Sequence, residues 1–345
     1  LVNNNEIQPC EMCGKTAPPN EDDKYDDIYF PTRPGSRAVK LGYAQERLCG
    51  RCACAQFIGS YWNGTPDRLR TPVEEYRLFN RTVYVKRDDL WNNGKYGGGN
   101  AKMRGIEVHL RQMISGGIKH VAVLDSRTSR IGWGVAGLCR DLGLRCTVYY
   151  GTRQSERGAV PYFQQKAKEA GAELIEVPAS RIYPMYYNAR IECQKRDVYL
   201  LPMGGQLTES LLSVAGEARS LPLELTTGTI ICVVATGTMF AGLLVGIKGT
   251  CRVVGVYIGM TGKELKEGKS KSDPERIIRR RITSLLPSGF EAIPFDIVLG
   301  DREYYAEDNY PCSFPCDKWY DRKAYRWMCE HIDELNDPIC FWNIG

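Results

Sequence analysis

The chain has 345 residues, 43% hydrophobic and 25% charged, with a net charge of +5. These values are ordinary for a globular protein large enough for two lobes, and the mild positive charge permits an anionic partner without requiring one. The opening residues LVNNNEIQPC lack the apolar core of a secretory signal, so a cytoplasmic location is expected.

Residues 1–66 are polar and hold five of the fourteen cysteines. Without a secretion signal, disulfides are not expected. Cys10-x-x-Cys13 and Cys49-x-x-Cys52 form two knuckle-like pairs, and two such pairs complete a tetrahedral structural zinc site. Cys54 is a substitute ligand. The alternative is a set of reduced thiols without metal.

From about Thr71 the pattern becomes α/β. TVYVKRDDL reads as a strand, and Met103, Ile106, Leu110 and Met113 mark one face of a helix opening at Lys102. IKHVAVLDS, RCTVYYG and ELIEV read as strands, separated by helices at GWGVAGLCRDLG and VPYFQQKAKEAGA. A helix at LTESLLSVAGEARS, the strand TIICVVAT, a helix at AGLLVGI and the strand CRVVGVYIG follow. This alternation predicts a mainly parallel sheet covered on both faces. The apolar window from Ile230 to Ile247 is nearly long enough to span a bilayer. TGT interrupts it, so it is read as strand, turn and helix, and no membrane segment is expected. Lys263 to Arg281 holds eight Lys/Arg and four Asp/Glu. Asp273 and Pro274 suit a helix start there. The segment is either a solvated face or a phosphate-contact surface.

Three stretches can carry chemistry. In GGGNAKMRGIE, Lys102 opens a helix, where a cation is locally unfavourable. GWGVAG matches a dinucleotide fingerprint, but six residues separate it from the strand and no acidic residue ends the next strand, so close helix packing explains the glycines better. ATGTMFAGL follows an apolar strand and opens a helix, where free N–H groups at Thr236, Gly237, Thr238 and Met239 suit a phosphate. A lysine after a Gly-Asn loop and a downstream phosphate turn are together what pyridoxal 5'-phosphate requires.

Here the chain resembles the fold-type II pyridoxal-phosphate enzymes, the tryptophan synthase β superfamily, nearest the D-cysteine desulfhydrase and aminocyclopropane-carboxylate deaminase branch. The resemblance runs from TPVEEY at Thr71 to DPICFWNIG at the C-terminus. It is carried by VYVKRDDL with GGGNAKMRGIE, by LLPMGGQLTES, by ATGTMFAGL, by NYPCSFPC and by DPICFWNIG. It implies an α/β fold of two lobes with mainly parallel sheets, in a catalytic region at 67–345 whose smaller lobe spans roughly 103–205. It also implies a homodimer. Lys102 becomes the Schiff-base residue, with Lys95 in reserve. Asn100, Thr236, Gly237, Thr238, Met239 and Asn343 become cofactor contacts, and Tyr310 matches the active-site tyrosine.

The departures are informative. Ala101 is an extra residue between Asn100 and Lys102, and the phosphate turn is about two residues short. DSRTSRIG replaces the family's Ser-Asn-His or Thr-Ser-Gly-Asn-Thr. Arg127, Thr128, Ser129 and Arg130 thus become the substrate-binding candidates, with Ser129 at the position of the deaminase's catalytic serine. Arginine suits a carboxylate or a phosphate. The expected function is a lyase that binds an amino-acid-type substrate through its amine and cleaves a bond at Cα, as a deaminase or decarboxylase. The substrate is a free amino acid, or an amino acid on a hypermodified thymine of phage DNA, as the basic segment and zinc module suggest. A cofactor-free zinc scaffold that binds nucleic acid is the third reading.

Overall fold

The computed structural model describes residues 70–97, 101–151, 158–177, 182–259, 274–286, 290, 292–300 and 304–345. The zinc-ligand candidates Cys10, Cys13, Cys49 and Cys52, the alternative Cys54, the cofactor candidate Asn100 and the basic stretch 263–273 lie outside the described residues.

Two sheets organise the chain. The strands and helices alternate as β1 (Val73–Leu78), β2 (Arg81–Arg87), α1 (Lys102–Ser115), β3 (His120–Asp125), α2 (Ile131–Asp141), β4 (Arg145–Gly151), α3 (Tyr162–Glu169), β5 (Glu173–Val177), α4 (Ile182–Arg196) and β6 (Tyr199–Leu200). They continue as α5 (Thr208–Arg219), β7 (Thr229–Val234), α6 (Thr238–Gly246), β8 (Arg252–Tyr257), α7 (Pro274–Leu285), β9 (Phe295–Leu299), α8 (Asp321–Glu330) and β10 (Ile339–Asn343). The larger sheet has the order β1-β2-β10-β7-β8-β9, and the smaller has the order β5-β4-β3-β6. Among the described strands, only β1 and β2 pair antiparallel; every other pairing is parallel.

Parallel strands covered on both faces read as continuous apolar runs. TIICVV of β7 is buried at every position, and the apolar window at 230–247 resolves into that strand, a turn and α6. Among the described residues no helix is long and apolar enough to cross a membrane. Between the sheets' helices, glycine sets the spacing. A Cβ on Gly105 of α1 would lie 2.3 Å from the Glu209 carbonyl of α5, and one on Gly246 of α6 would lie 2.2 Å from the Ala215 carbonyl. These contacts clamp α5 between α1 and α6.

Some boundaries differ from the sequence reading. The strand at TVYVKRDDL stops at Arg87, and Asp88 turns into a 3₁₀ stretch. The cause is a buried charge cluster. Arg104 Nη2 meets Asp88 Oδ1 at 2.6 Å, Lys86 Nζ meets Glu217 Oε2 at 2.6 Å, and Trp342 Nε1 donates to Asp88 Oδ2 at 3.1 Å. α6 starts earlier than AGLLVGI, at Thr238, because Gly237 takes a left-handed turn at φ 91°.

Candidate active site

The lysine at the start of α1 points inward. Its Nζ donates to the Gly204 carbonyl at 3.0 Å and to Thr236 Oγ1 at 3.2 Å. The side chain is partly exposed along its length, but protein encloses the amine, and that desolvation pushes its pKa down to about 8. The unfavourable position at a helix start therefore favours a neutral amine. Lys95, the reserve, instead forms a surface ion pair with Asp141 at 2.6 Å.

Two turns close around that amine. Gly204 and Gly205 have φ of 69° and 64°, and both lack room for a side chain. A Cβ on Gly204 would lie 2.8 Å from Thr236 Cγ2, and one on Gly205 would lie 2.8 Å from Ile131 Cδ1. Gln206 Nε2 donates to the Thr236 carbonyl at 3.2 Å. The second turn is 236–238. The first bond of α6 runs from Ala241 N to Gly237 O. The amides of Thr238, Met239 and Phe240 therefore have no intrahelical acceptor. Thr238 Oγ1 is buried with no partner among the described residues. The Met239 side chain packs in the larger core, which leaves its amide as the group available to a ligand.

The loop 126–130 joins β3 to α2 at the carboxyl end of the smaller sheet. Ser129 N donates to the Ser126 carbonyl, and Ile131 N donates to Ser129 Oγ at 3.3 Å. Arg127 is partly exposed. Thr128 is buried, and its hydroxyl lies near that of Tyr320 without a hydrogen bond of normal geometry among the described residues. Arg130 departs most from expectation. Its guanidinium pairs with the buried Asp317 across the two sheets and stacks over Phe163 at 5.1 Å. Its Nε is buried without an acceptor among the described residues.

Sequence reasoning missed the anchor of this loop. Asp125 is fully buried, and its Oδ2 accepts from Gly132 N at 3.2 Å and Gln164 Nε2 at 2.9 Å. Burial pushes its pKa up to about 7 against those hydrogen bonds. The unfolded carboxyl titrates near ~3.9. Between about pH 4 and 7 the folded chain keeps a proton that the unfolded chain has lost, so stability falls as pH rises through that window. Asp125→Asn should flatten this fall, read as urea midpoints from pH 4 to 8. The slope should shrink without vanishing, because burial likewise raises Asp321 to about 7. An unchanged slope would remove Asp125 from the account.

Two further candidates lie on the larger sheet's side. Asn343 ends β10, fully buried. Its Nδ2 donates to the Pro315 carbonyl at 2.8 Å, and its Oδ1 has no partner among the described residues. Tyr310 packs its ring 6.2 Å from Tyr325, with the Arg326 guanidinium at 5.5 Å. Its backbone bonds run to Asp308 and Arg322. The tyrosine beside loop 126–130 is Tyr320, next to Thr128. Cys312 and Cys316 are free thiols, and among the described residues no group of three or more metal-ligating side chains occurs.

These residues fit pyridoxal phosphate. An enclosed, partly neutral lysine amine suits its aldehyde, and the amides and orphaned Thr238 hydroxyl at the start of α6 suit its phosphate. The orphaned Asn343 oxygen is a polar group for its ring.

Comparison with known proteins agrees. A family model described as pyridoxal-phosphate dependent enzyme matches residues 65–304. A protein of Pseudomonas phage M6 named glycyl-dTMP PLP-dependent decarboxylase is 31% identical over 295 residues, covering 80% of this chain and 98% of its own. Among solved structures, an ACC deaminase homologue superposes with a TM-score of 0.63 at 20% identity, covering 84% of this chain and 94% of that one. A threonine deaminase from Solanum lycopersicum superposes with a TM-score of 0.57 at 13% identity, covering 85% and 84%. These structures share the fold.

Proposed function

Because this chain belongs to the pyridoxal-phosphate dependent enzymes of fold type II, we propose that it is a lyase that removes the carboxylate of an amino acid carried on a modified thymine of DNA. The observation that carries the reading is 31% identity, across 98% of its length, to a relative named for decarboxylating glycyl-dTMP. The Lys102 amine between Gly204 and Thr236 supports it.

In this reading Lys102 and Asn343 hold the cofactor, and the amides and hydroxyls of Thr236, Gly237, Thr238 and Met239 receive its phosphate. When bound, pyridoxal phosphate supplies an electron-withdrawing ring that accepts the electron pair left by the bond broken at Cα. The protein's own groups do the rest. Lys102 Nζ, lowered to about 8, exists in both protonation states near neutral pH and delivers a proton to Cα after carbon dioxide leaves. Ser129 and the free Nε of Arg130 orient the substrate's carboxylate, with Arg127 and Thr128 beside them. Tyr310 serves as a packing residue beneath α8.

The reading carries three further parts. Residues 67–345 are the catalytic region, with the smaller lobe at roughly 103–205. Cys10, Cys13, Cys49 and Cys52 hold a structural zinc in a module at 1–66. Two chains form a homodimer.

A lyase or deaminase acting on a free amino acid is the second reading, favoured by the deaminase-like fold. Family membership and the Lys102 geometry weigh against a cofactor-free scaffold. To separate the two enzymes, the holoenzyme is offered free glycine, free threonine, aminocyclopropane-carboxylate and an oligonucleotide with one glycyl-substituted thymine. Carbon dioxide release from the oligonucleotide alone is the expected result. Ammonia or carbon dioxide from the free amino acids, with the oligonucleotide untouched, would sink the proposal.

A further inference from the structure

Beyond the cofactor site, cleaving a bond at Cα of a free amino acid needs only an amine and a carboxylate clamp. The chain holds, beside that site, a tyrosine cluster that such chemistry does not use. Tyr257 ends β8 and pairs with Val234, the last residue of β7, two residues before Thr236. Tyr304 and Tyr320 place their hydroxyls 3.1 Å apart, with rings edge to face at 6.0 Å. Tyr305 packs edge to face on Tyr304 at 4.9 Å. Tyr320 sits by Thr128 of the substrate loop, so the series begins at the proposed carboxylate clamp. It ends at the surface, where Tyr305 is 38% and Tyr183 of α4 is 62% exposed.

The groups facing Tyr257 come from several elements. Tyr304, Tyr183 and the guanidinium of Arg281 all act on its phenol. Burial holds the phenols of Tyr257 and Tyr320 above their ordinary value, so they stay neutral and do not repel an anionic strand. Tyr257 ends β8 and Tyr320 sits by the loop that follows β3, so the cluster borders the carboxyl edges of both sheets, where open α/β folds take their ligands.

We propose that this cluster receives the pyrimidine ring that carries the amino acid, with Tyr304 and Tyr320 at its inner end and Tyr305 and Tyr183 as its outer stacking walls. The inference rests on the reading that the amino acid is attached to a base. Aromatic side chains stack on bases regardless of sequence, since every base has a π-face. A base acted on by an enzyme must leave the duplex or already be single-stranded. A row of tyrosines running from the surface to the substrate loop meets that need, whereas free glycine, threonine or aminocyclopropane-carboxylate has no aromatic ring to place there.

The test uses the holoenzyme and a single-stranded oligonucleotide with one glycyl-substituted thymine. Tyr305→Ala and Tyr183→Ala remove exposed rings, so the fold should survive. Each is expected to raise KM for the oligonucleotide about tenfold, more than it lowers kcat. Phenylalanine at either position should restore KM, because stacking needs the ring and not the hydroxyl. Fluorescence anisotropy with an unmodified thymine oligonucleotide, at fixed salt, should show the same order of affinities. Unchanged KM and affinity in both alanine variants, with the wild type active on the oligonucleotide, would overturn the inference and leave the function standing. Loss that phenylalanine fails to rescue would also overturn it. A wild type active on free glycine but not on the oligonucleotide would overturn both.

Discussion

Lys102→Ala should abolish the near-visible absorbance of the protein mixed with pyridoxal phosphate and lower turnover by at least ~10²–10⁴-fold, the usual worth of a positioned proton-transfer group alone. The expectation rests on the enclosed amine, 3.0 Å from the Gly204 carbonyl and 3.2 Å from the Thr236 hydroxyl. Borohydride reduction of the wild-type holoenzyme, followed by peptide mass spectrometry, should place the cofactor on Lys102. The nearby Lys95→Ala variant should keep the absorbance, since Lys95 pairs with Asp141 at the surface. A pH series gives a second readout. With its pKa lowered to about 8, the amine becomes mostly neutral above that pH. Cofactor uptake by the apoprotein should therefore rise to about pH 8 and then level off. An ordinary lysine would keep rising toward ~10.4. An adduct on another lysine would end the Lys102 assignment.

Arg104→Met should cost the fold about 3–5 kcal/mol, the cost of stranding buried charge. The whole fold is worth only about 5–15 kcal/mol. Arg104 of α1 binds Asp88, and Lys86 of β2 binds Glu217 of α5, so two cations balance two carboxylates in the interior. Thr71 Oγ1 adds bonds to Asp88 at 3.1 Å and Glu217 at 3.3 Å. Burial alone would raise the Asp88 pKa, but Arg104, Lys86 and the Trp342 hydrogen bond hold it below its ordinary value. A carboxyl lowered on folding contributes stability above its unfolded pKa and loses it as pH falls through the folded value. Wild-type stability should therefore drop below about pH 4, and Asp88→Asn should soften that drop while weakening the fold at neutral pH. Replacing both Asp88 and Arg104 should cost less than the sum of the single changes, because the partners share one interaction. Urea midpoints from pH 3 to 7 measure all of this. Arg104→Met within about 1 kcal/mol of wild type would show that the cluster relaxes without it.

Much of the site was legible. The 97–107 stretch singled out Lys102 because a cation opening a helix after three glycines needs a reason. The 235–243 stretch showed its turn through Thr-Gly-Thr between an apolar strand and an apolar helix. Other parts left little local trace. Asp125 looks like the polar end of a strand, and its bonds to Gly132 N and to Gln164, 39 residues on, make it a loop anchor. Arg130 reads as a free substrate clamp until Asp317 is brought to it from 187 residues away. Tyr310 stood out by its neighbours in the chain, while Tyr320 gained its place from the approach of the two sheets.

The sequence by itself determined the alternation of strands and helices, the two glycine-marked turns and the lysine between them. Those features depend on periodicity and backbone freedom within a few residues. The tertiary structure decided where β10, last in the chain, would go: between β2 and β7, completing the larger sheet. It also decided which charges meet inside and which tyrosines border the site. The farthest of these contacts, Lys86 with Glu217 and Arg130 with Asp317, join residues more than a hundred positions apart, and their partners are set by how the sheets dock, which no local pattern encodes.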